Sequence, residues 1–304
     1  MTLEQYMREL WLMDKQYGQE EELYPLINML LRDGENTKKL SIRDVHNGQS
    51  IKEENKNVEQ RKYINGFGSF PDLAIFDESF PDLSDENSQE ENIASNLQKI
   101  YGCVEAKCNK KNPEQIEVKI VAENKSEQPK KENYFIERNN TKIYLHYADT
   151  GSATVEGQLL GELLWYGKVL YTNGVIWEYY KLFEGTETIN NIRKDYISSI
   201  NENNLPEGKF EYKTWIFKQC FEQCKKNNLK ITITSEEIGN LTDIYQIYQK
   251  IKKENKEKEK FEQEWKALKD KKGFEQRWNN FTEKLENIKW NEDVFTNAET
   301  KNPN

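Results

Sequence analysis

Two short apolar runs, each with a carboxylate set at one end, constrain the fold of this 304-residue chain more than any other feature. The first is "GSFPDLAIF", Gly68 to Phe76, and the second is "GCVEAKC", Gly102 to Cys108. Side chains of an extended chain alternate between faces, so Glu105 and Lys107 share one face while Val104 and Ala106 turn to the core. Leu73 to Phe76 reads as an apolar strand, expected over about 70–76, with Asp72 at its start. If the two strands are neighbours, the carboxylates of Asp72 and Glu105 converge. With the Ala106 carbonyl they form an all-oxygen ligand set, which suits Mg²⁺ or Mn²⁺. Such a cation would acidify a bound water and polarise a phosphodiester, and Lys107 could orient the attacking water.

The chain writes Pro-Asp twice, the second time in "ESFPDLSDE", Glu78 to Glu86. Asp82 is followed by Leu-Ser-Asp-Glu, which cannot form a buried strand, whereas Asp72 stands at the head of one. A metal ligand needs a rigid element beneath it, so Asp72 is the candidate ligand. Gly66 and Gly68 just ahead of it allow close approach by a phosphate chain.

Periodicity organises the rest. "LEQYMRELWLM" and "EEELYPLINMLLRD" carry apolar residues at three-and-four spacing and predict two helices within 1–33. "SIRDVHN" is a short strand or loop, residues 77–92 an exposed acidic loop, and "IASNLQKIY" a short helix. Residues 108–140 are Lys/Glu/Asn-rich and read as a hairpin or excursion, followed by a strand in "KIYLHYA". "EGQLLGELLWYGK" predicts a helix, and "VLYTNGVIWEYYKL" a hairpin that turns at Asn-Gly. Beyond these come a helix in "KTWIFKQCFEQCKK", a strand in "KITIT" and a helical tail from about 236. The tail carries two stripes, Phe261, Trp265, Leu268 and Phe274, Trp278, Phe281, Leu285, Ile288, parted by "KDKKG". That pattern is an α-hairpin whose apolar side needs the chain's own core, a second copy or another protein. Two parts are expected: a core over 1–185 and a mainly helical region over 186–304.

Composition narrows the function classes. A formal charge of −9 argues against a surface covered with phosphate-binding lysines, though one basic groove remains compatible with it. "KCNKK" after Lys107 and "PKK" at 129–131 could contact a phosphate backbone, while "KKENKEKEK" alternates in sign like a solvated helix face. No apolar run reaches membrane-span length and the first residues lack a secretory pattern, so a cytoplasmic protein is expected. Cys103, Cys108, Cys220 and Cys224 have spacings unlike common zinc or iron–sulfur sites and read as reduced thiols. The two histidines, His46 and His146, are too few and too scattered for a histidine-metal nuclease, and there is no P-loop.

"GSFPDLAIF", "GCVEAK" and "YTNGVIWEYYK" together resemble the PD-(D/E)xK nuclease superfamily, closest in look to the nuclease domains of restriction and defence enzymes. The resemblance covers roughly residues 15–182. It implies an α/β restriction-endonuclease-like αβββαβ core with a mixed central sheet, here followed by a C-terminal α-helical region. It implies Asp72 and Glu105 as metal ligands, together with the carbonyl of Ala106, and Lys107 as the catalytic lysine. Members often add an acid from the first helix, for which Glu22 is the best match with Glu20 and Glu21 as rivals. Gln158 resembles the polar helix residue found near the metal. The implied activity is Mg²⁺- or Mn²⁺-dependent hydrolysis of nucleic acid, DNA favoured over RNA, with a restriction or defence role. The other classes that fit are a catalytically idle nuclease-fold assembly subunit, partnered or dimerised through its C-terminal helices, and a ribonuclease effector needing an activator.

Overall fold

The apolar runs become strands of one sheet, and the periodic segments become helices covering both of its faces. The computed structural model describes residues 1–16, 18–34, 37–45, 62–64, 71–82, 88–107, 117–121, 135–138, 141–144, 154–199, 231–254 and 257–295. Its strands are β1 (Ser41–Asp44), β2 (Leu73–Phe76), β3 (Ile100–Ala106), β4 (Glu117–Val121), β5 (Phe135–Arg138), β6 (Thr141–Tyr144), β7 (Lys168–Thr172), β8 (Ile176–Leu182) and β9 (Ile231–Asn240). Its helices are α1 (Leu3–Gln16), α2 (Leu23–Arg32), α3 (Gln89–Gln98), α4 (Val155–Tyr166), α5 (Thr186–Ser199), α6 (Thr242–Glu254), α7 (Lys258–Lys271) and α8 (Phe274–Glu286). The sheet order is β1-β2-β3-β7-β8-β9-β4-β5-β6. The first six form a mixed α/β sheet in which β3 and β7 run parallel and every other neighbour is antiparallel. A parallel pair needs a crossover, and α4 lies between β3 and β7 in the chain and packs on both.

The sheet is covered twice. On one face Ala74, Cys103 and Val169 pack with Leu159, Leu160 and Leu163 of α4 and with residues of α3 and α5. On the other, Leu73, Ile75, Val104, Ala106 and Leu170 pack with α1, α2 and the C-terminal helices. Central strands buried on both faces read as unbroken apolar runs, as "LAIF" and "KVLYT" do. The consequence for the site is direct: Val104 and Ala106 enter one core, and the face bearing Glu105 lies under α4.

The predicted α-hairpin forms, with Gly273 at φ 63° between α7 and α8. Its Phe274, Trp278, Phe281 and Leu285 are buried in the chain's own core, where Trp278 meets Tyr6 at 5.1 Å and Phe281 meets Trp177 at 5.4 Å. The chain after α8 then runs as a strap past the start of β7 and over β3, two central strands of the sheet. Lys168, 1% exposed, donates to the carbonyls of Lys289, Trp290 and Glu292. Burial pulls this ammonium down toward about 7. The three carbonyls pull the other way, because only the charged form has three protons to give. Trp290 lies over Gly102, where an added Cβ would stand 2.6 Å from the ring, and Val294 and Phe295 fill the space beside Gly167.

Several expectations change. The acidic loop ends before 92, because α3 begins at Gln89 behind a capping box: Glu91 N donates to Ser88 Oγ at 3.2 Å and Ser88 N to Glu91 Oε2 at 3.0 Å. Within 108–140 the hairpin alternative holds, with β4 antiparallel to β5, and what was not expected is that β4 also pairs with β9. "KITIT" runs on to Asn240, so the helical tail begins at Thr242 rather than near 236. Pairing with β8, Glu236 opposite Tyr179 and Gly239 opposite Trp177, overrides the helix preference of the glutamates there. Helix α5 was not anticipated. The helix expected in "KTWIFKQCFEQCKK", both histidines, Gly66, Gly68, Cys108, Cys220, Cys224 and the basic segments 108–111 and 129–131 lie outside the described residues. Cys103 is a buried free thiol. Among the described residues no helix is long and apolar enough to cross a membrane.

Candidate functional site

The register of β2 on β3 sets the site. Leu73 is paired with Val104 and Ala74 with Cys103, so continuing one residue places Asp72 opposite Glu105. Directly opposed residues share a face, with Cβ atoms roughly 5 Å apart. Asp72 stays tied to the sheet because its carbonyl accepts from Val45 N at 3.1 Å. Both of its carboxyl oxygens are held: Oδ1 accepts from Tyr24 of α2 at 2.5 Å and Oδ2 from the Ala106 N–H at 2.6 Å. In an extended residue the N–H and C=O face the same edge, so the Ala106 carbonyl looks toward Asp72 as well.

Glu105 sits beside Tyr171 of β7 and is 1% exposed. Its Oε1 accepts from Gln158 Nε2 at 2.6 Å and from Lys107 Nζ. Gln158 reaches it from the first turn of α4, whose N-cap is Thr154. Lys107 lies one residue past β3, and its N–H is still bonded to Thr172 O at 2.8 Å. Its ammonium also pairs with Glu20 at 3.7 Å. The expectation for the first-helix acid therefore shifts within the triplet. Glu22 turns back to its own turn, where Oε2 accepts from Gly18 N at 3.0 Å and Gln19 N at 3.3 Å. It is Glu20 that comes to Lys107.

The second Pro-Asp is structural. Asp82 Oδ2 pairs with Lys99 at 3.3 Å, and its backbone N–H and C=O are both bonded to the Asn96 side chain, at 2.6 and 3.1 Å. Those bonds fasten the turn after β2 to α3.

Sequence reasoning missed Glu162, which is 1% exposed and lies one helical turn after Gln158 on α4. A lone glutamate inside "QLLGELLW" was the available signal, because an ionisable group on an otherwise apolar helix face needs a reason to be there. Its carboxyl lies against those of Glu105 and the Gln158 amide, yet neither oxygen has a well-formed hydrogen bond. Glu105 Oε2 and the Tyr171 hydroxyl are likewise buried without a partner. Tyr24 was also missed, and nothing in its sequence context marked it.

Four carboxyls, Glu20, Asp72, Glu105 and Glu162, thus surround one ammonium. Burial pushes Glu105 well above the usual carboxyl range, and Glu162 and Asp72 push it further against the pull of Lys107. Burial likewise raises Glu162 to about 7. It raises Asp72 too, opposed by the bonds from Tyr24 and Ala106. Burial alone would lower Lys107, but Glu105, Glu20 and Asp72 outweigh it and hold the ammonium charged. Burial and Asp72 keep the Tyr24 hydroxyl protonated, so it remains a donor. Among the described residues no group of three or more His, Cys, Asp and Glu is set to hold a metal ion. The set present is two carboxyls and a carbonyl, with an unfilled acceptor on Glu105. Hard oxygens with excess negative charge are the donor chemistry of Mg²⁺ and Mn²⁺. Comparison with protein-family models, curated proteins and solved structures finds no match to this chain.

Proposed function

We propose that the chain is a divalent-metal-dependent nuclease of the PD-(D/E)xK type that hydrolyses phosphodiester bonds, with DNA as its substrate. The observation that carries the reading is the convergence of Asp72, Glu105 and Lys107 at the ends of neighbouring strands, with Gln158 bonded to Glu105. The order α2, β1, β2, β3, α4, β7, with β3 and β7 parallel, supports a restriction-endonuclease-like core, with α3 inserted between β2 and β3. The stretch from Asp72 to Glu105 is long because it contains that helix.

In this reading Asp72, Glu105 and the Ala106 carbonyl hold the cation, which supplies Lewis acidity and an acidified water. Tyr24 and the Ala106 N–H fix the rotamer of Asp72, so the carboxyl is in place before a cation arrives. Gln158 does the same for Glu105. Lys107, kept charged by its acidic neighbours, presents its remaining N–H to the water or to the phosphate oxygens. Selection of DNA over RNA rests on the family resemblance alone.

The test is cleavage of plasmid DNA and of single-stranded RNA with Mg²⁺, Mn²⁺ or EDTA, with Asp72→Ala and Lys107→Ala alongside. Cutting that needs the cation and falls by at least about 10³-fold in both variants supports the enzyme. Cutting of RNA alone makes it a ribonuclease. No cutting under any condition points to the idle assembly subunit.

A further inference from the structure

Helices α1 and α6 pack together, and both reach the edge of the sheet where Lys107 lies. Leu241 N, just ahead of α6, donates to Val175 O at 2.7 Å in the turn that follows β7, and Lys107 N is bonded to Thr172 O at the end of the same strand. On α1, Lys15 stands five residues before Glu20, the acid paired with Lys107. Five residues reach at most roughly 18 Å, the length of about five base steps of a duplex. Tyr245 fastens the helices, its hydroxyl meeting Leu10 O at 3.0 Å and Asp14 at 2.5 Å, and Gln249 donates to Asp14 at 3.1 Å. Those bonds engage Asp14, the only acid in the last turn of α1.

Lysines gather on the surface these helices share. Lys15 Nζ lies 4.7 Å over the ring of Trp11, and Lys252 Nζ lies 5.8 Å from the same ring and 3.5 Å over Phe261. Lys252 opens "KKENKEKEK", yet it is half-buried against rings and not part of a solvated face. Beside it an open groove runs along α6, lined by Gln246, Gln249, Lys250, Lys253 and Glu254. Lys250 is 72% exposed, with Glu254 at 4.0 Å. Arg8 is offset by Glu4 and Glu9 near Tyr248. The surface is basic in a chain whose formal charge is −9. Lysines suit helix C-termini, which explains those in the last turn of α6 but not Lys250.

We propose that this α1–α6 ledge holds the phosphate backbone of a nucleic acid beside the Asp72–Glu105–Lys107 site. Its groove offers the donors that phosphates take, two ammoniums and two carboxamides. Lys15 and Lys252 are already seated on rings, so less rotamer freedom is lost when a phosphate meets them. Contacts of this kind fix the register of a strand and carry no sequence preference. The choice of occupant rests on the nuclease reading, to which the ledge adds a surface along which the substrate lies.

The experiment measures fluorescence anisotropy of a labelled DNA duplex of about 30 base pairs with the full chain, over roughly 50–200 mM salt. EDTA is present, so binding is read without cutting, and a single-stranded RNA of the same length is run alongside. Lys250→Gln/Lys253→Gln removes two exposed ammoniums and keeps the helix. It should weaken binding at least about fivefold at about 100 mM salt and lower the slope of log K against log salt by about 2, with melting unchanged. Lys15→Gln should lower the slope by about 1. Lys271→Gln/Lys272→Gln, at the other end of α7, removes as much charge and should leave the slope as it is. An unchanged slope in Lys250→Gln/Lys253→Gln overturns the inference. Equal losses in the two double variants overturn it as well, because net charge alone then explains binding. A labelled polyglutamate that binds as tightly as the duplex makes the ledge a seat for an acidic protein and overturns it too. So does a wild type that binds neither nucleic acid. Failure of the nuclease reading looks different: lysine-dependent binding with no cutting under Mg²⁺ or Mn²⁺ keeps the ledge and removes the enzyme. Cutting with an unchanged slope keeps the enzyme and removes the ledge.

Discussion

Strand β7 begins at a lysine with every donor used and ends near a tyrosine whose hydroxyl has no partner. Lys168 and Tyr171 are both 1% exposed, so burial does not separate them. What separates them is satisfaction. The ammonium of Lys168 is caged by three carbonyls of the C-terminal strap. The Tyr171 hydroxyl has no hydrogen-bond partner and stands beside Glu105 and Glu162, two buried carboxyls that crowd each other. A buried charge with a full set of partners holds a fold together. A buried cluster without one holds a place for something else. On this view the groups gathered at the two ends of this strand should respond to substitution with opposite sign.

The largest effect is expected at the satisfied end. Lys168→Met keeps most of the volume but leaves three strap carbonyls without their donor. Such a loss costs about 3–5 kcal/mol, or roughly 10 °C in melting temperature, in a denaturation experiment. Gly167→Ala probes the same strap by another route. Its φ is +74°, and an added Cβ would stand 2.3 Å from Val294 Cγ2, so the strap must lift. A loss of about 2–3 kcal/mol is expected, with cation binding unchanged. A neutral outcome for both would show that the strap does not hold the sheet and would break the contrast.

At the unsatisfied end Glu162→Gln should stabilise the metal-free protein, by about 1–2 kcal/mol at pH 8. The sign follows from proton linkage. The folded carboxyl titrates near 7 and the unfolded one near its ordinary 4.5, so between those values the folded state holds the proton that the unfolded state has released. Wild-type stability therefore falls as pH rises from about 4.5 to 7, and Glu105 and Asp72, also raised, add to the fall. Glu162→Gln should flatten that slope in urea titrations taken every half pH unit. Saturating Mn²⁺ should flatten it in the wild type. A slope that persists unchanged in the variant would place its origin elsewhere.

The same contrast explains what could be read from the sequence. Asp72, Glu105, Lys107 and Gln158 were legible because each stands at a fixed point of a strongly patterned element, a strand end or a first helical turn. Their meeting follows from strand register, which the apolar patterns specify wherever a face is buried. The acid of the first helix was not legible, because Glu20, Glu21 and Glu22 are equivalent as letters. Only the short turn ahead of α2 decides which carboxyl caps its own backbone and which looks outward. The lysine cage was invisible for a further reason. Its acceptors are backbone carbonyls 121 to 124 residues away, and a carbonyl carries no sequence signal. The extension of "KITIT" into a ten-residue strand was hidden likewise, because pairing with β8 and not local propensity sets its end.

The smallest effects separate the two rival glutamates. Glu22→Ala removes the carboxylate that accepts from Gly18 and Gln19, so it should cost about 0.5–1 kcal/mol of stability. It touches neither Lys107 nor Glu105, and its effect on cutting should be no larger than its effect on folding. Glu20→Gln should do the reverse. The pair with Lys107 is partly exposed, so little stability is at stake. Yet one of the charges that keep Lys107 protonated is gone, and the ammonium loses one of the two anchors that aim it. Cutting should fall roughly three- to tenfold with melting unchanged. Were Glu22→Ala the variant that slows cutting at constant stability, the turn ahead of α2 must rearrange when substrate binds. Glu22 would then return as the helix acid, and the split between satisfied and unsatisfied groups would have to be drawn on the substrate-bound protein.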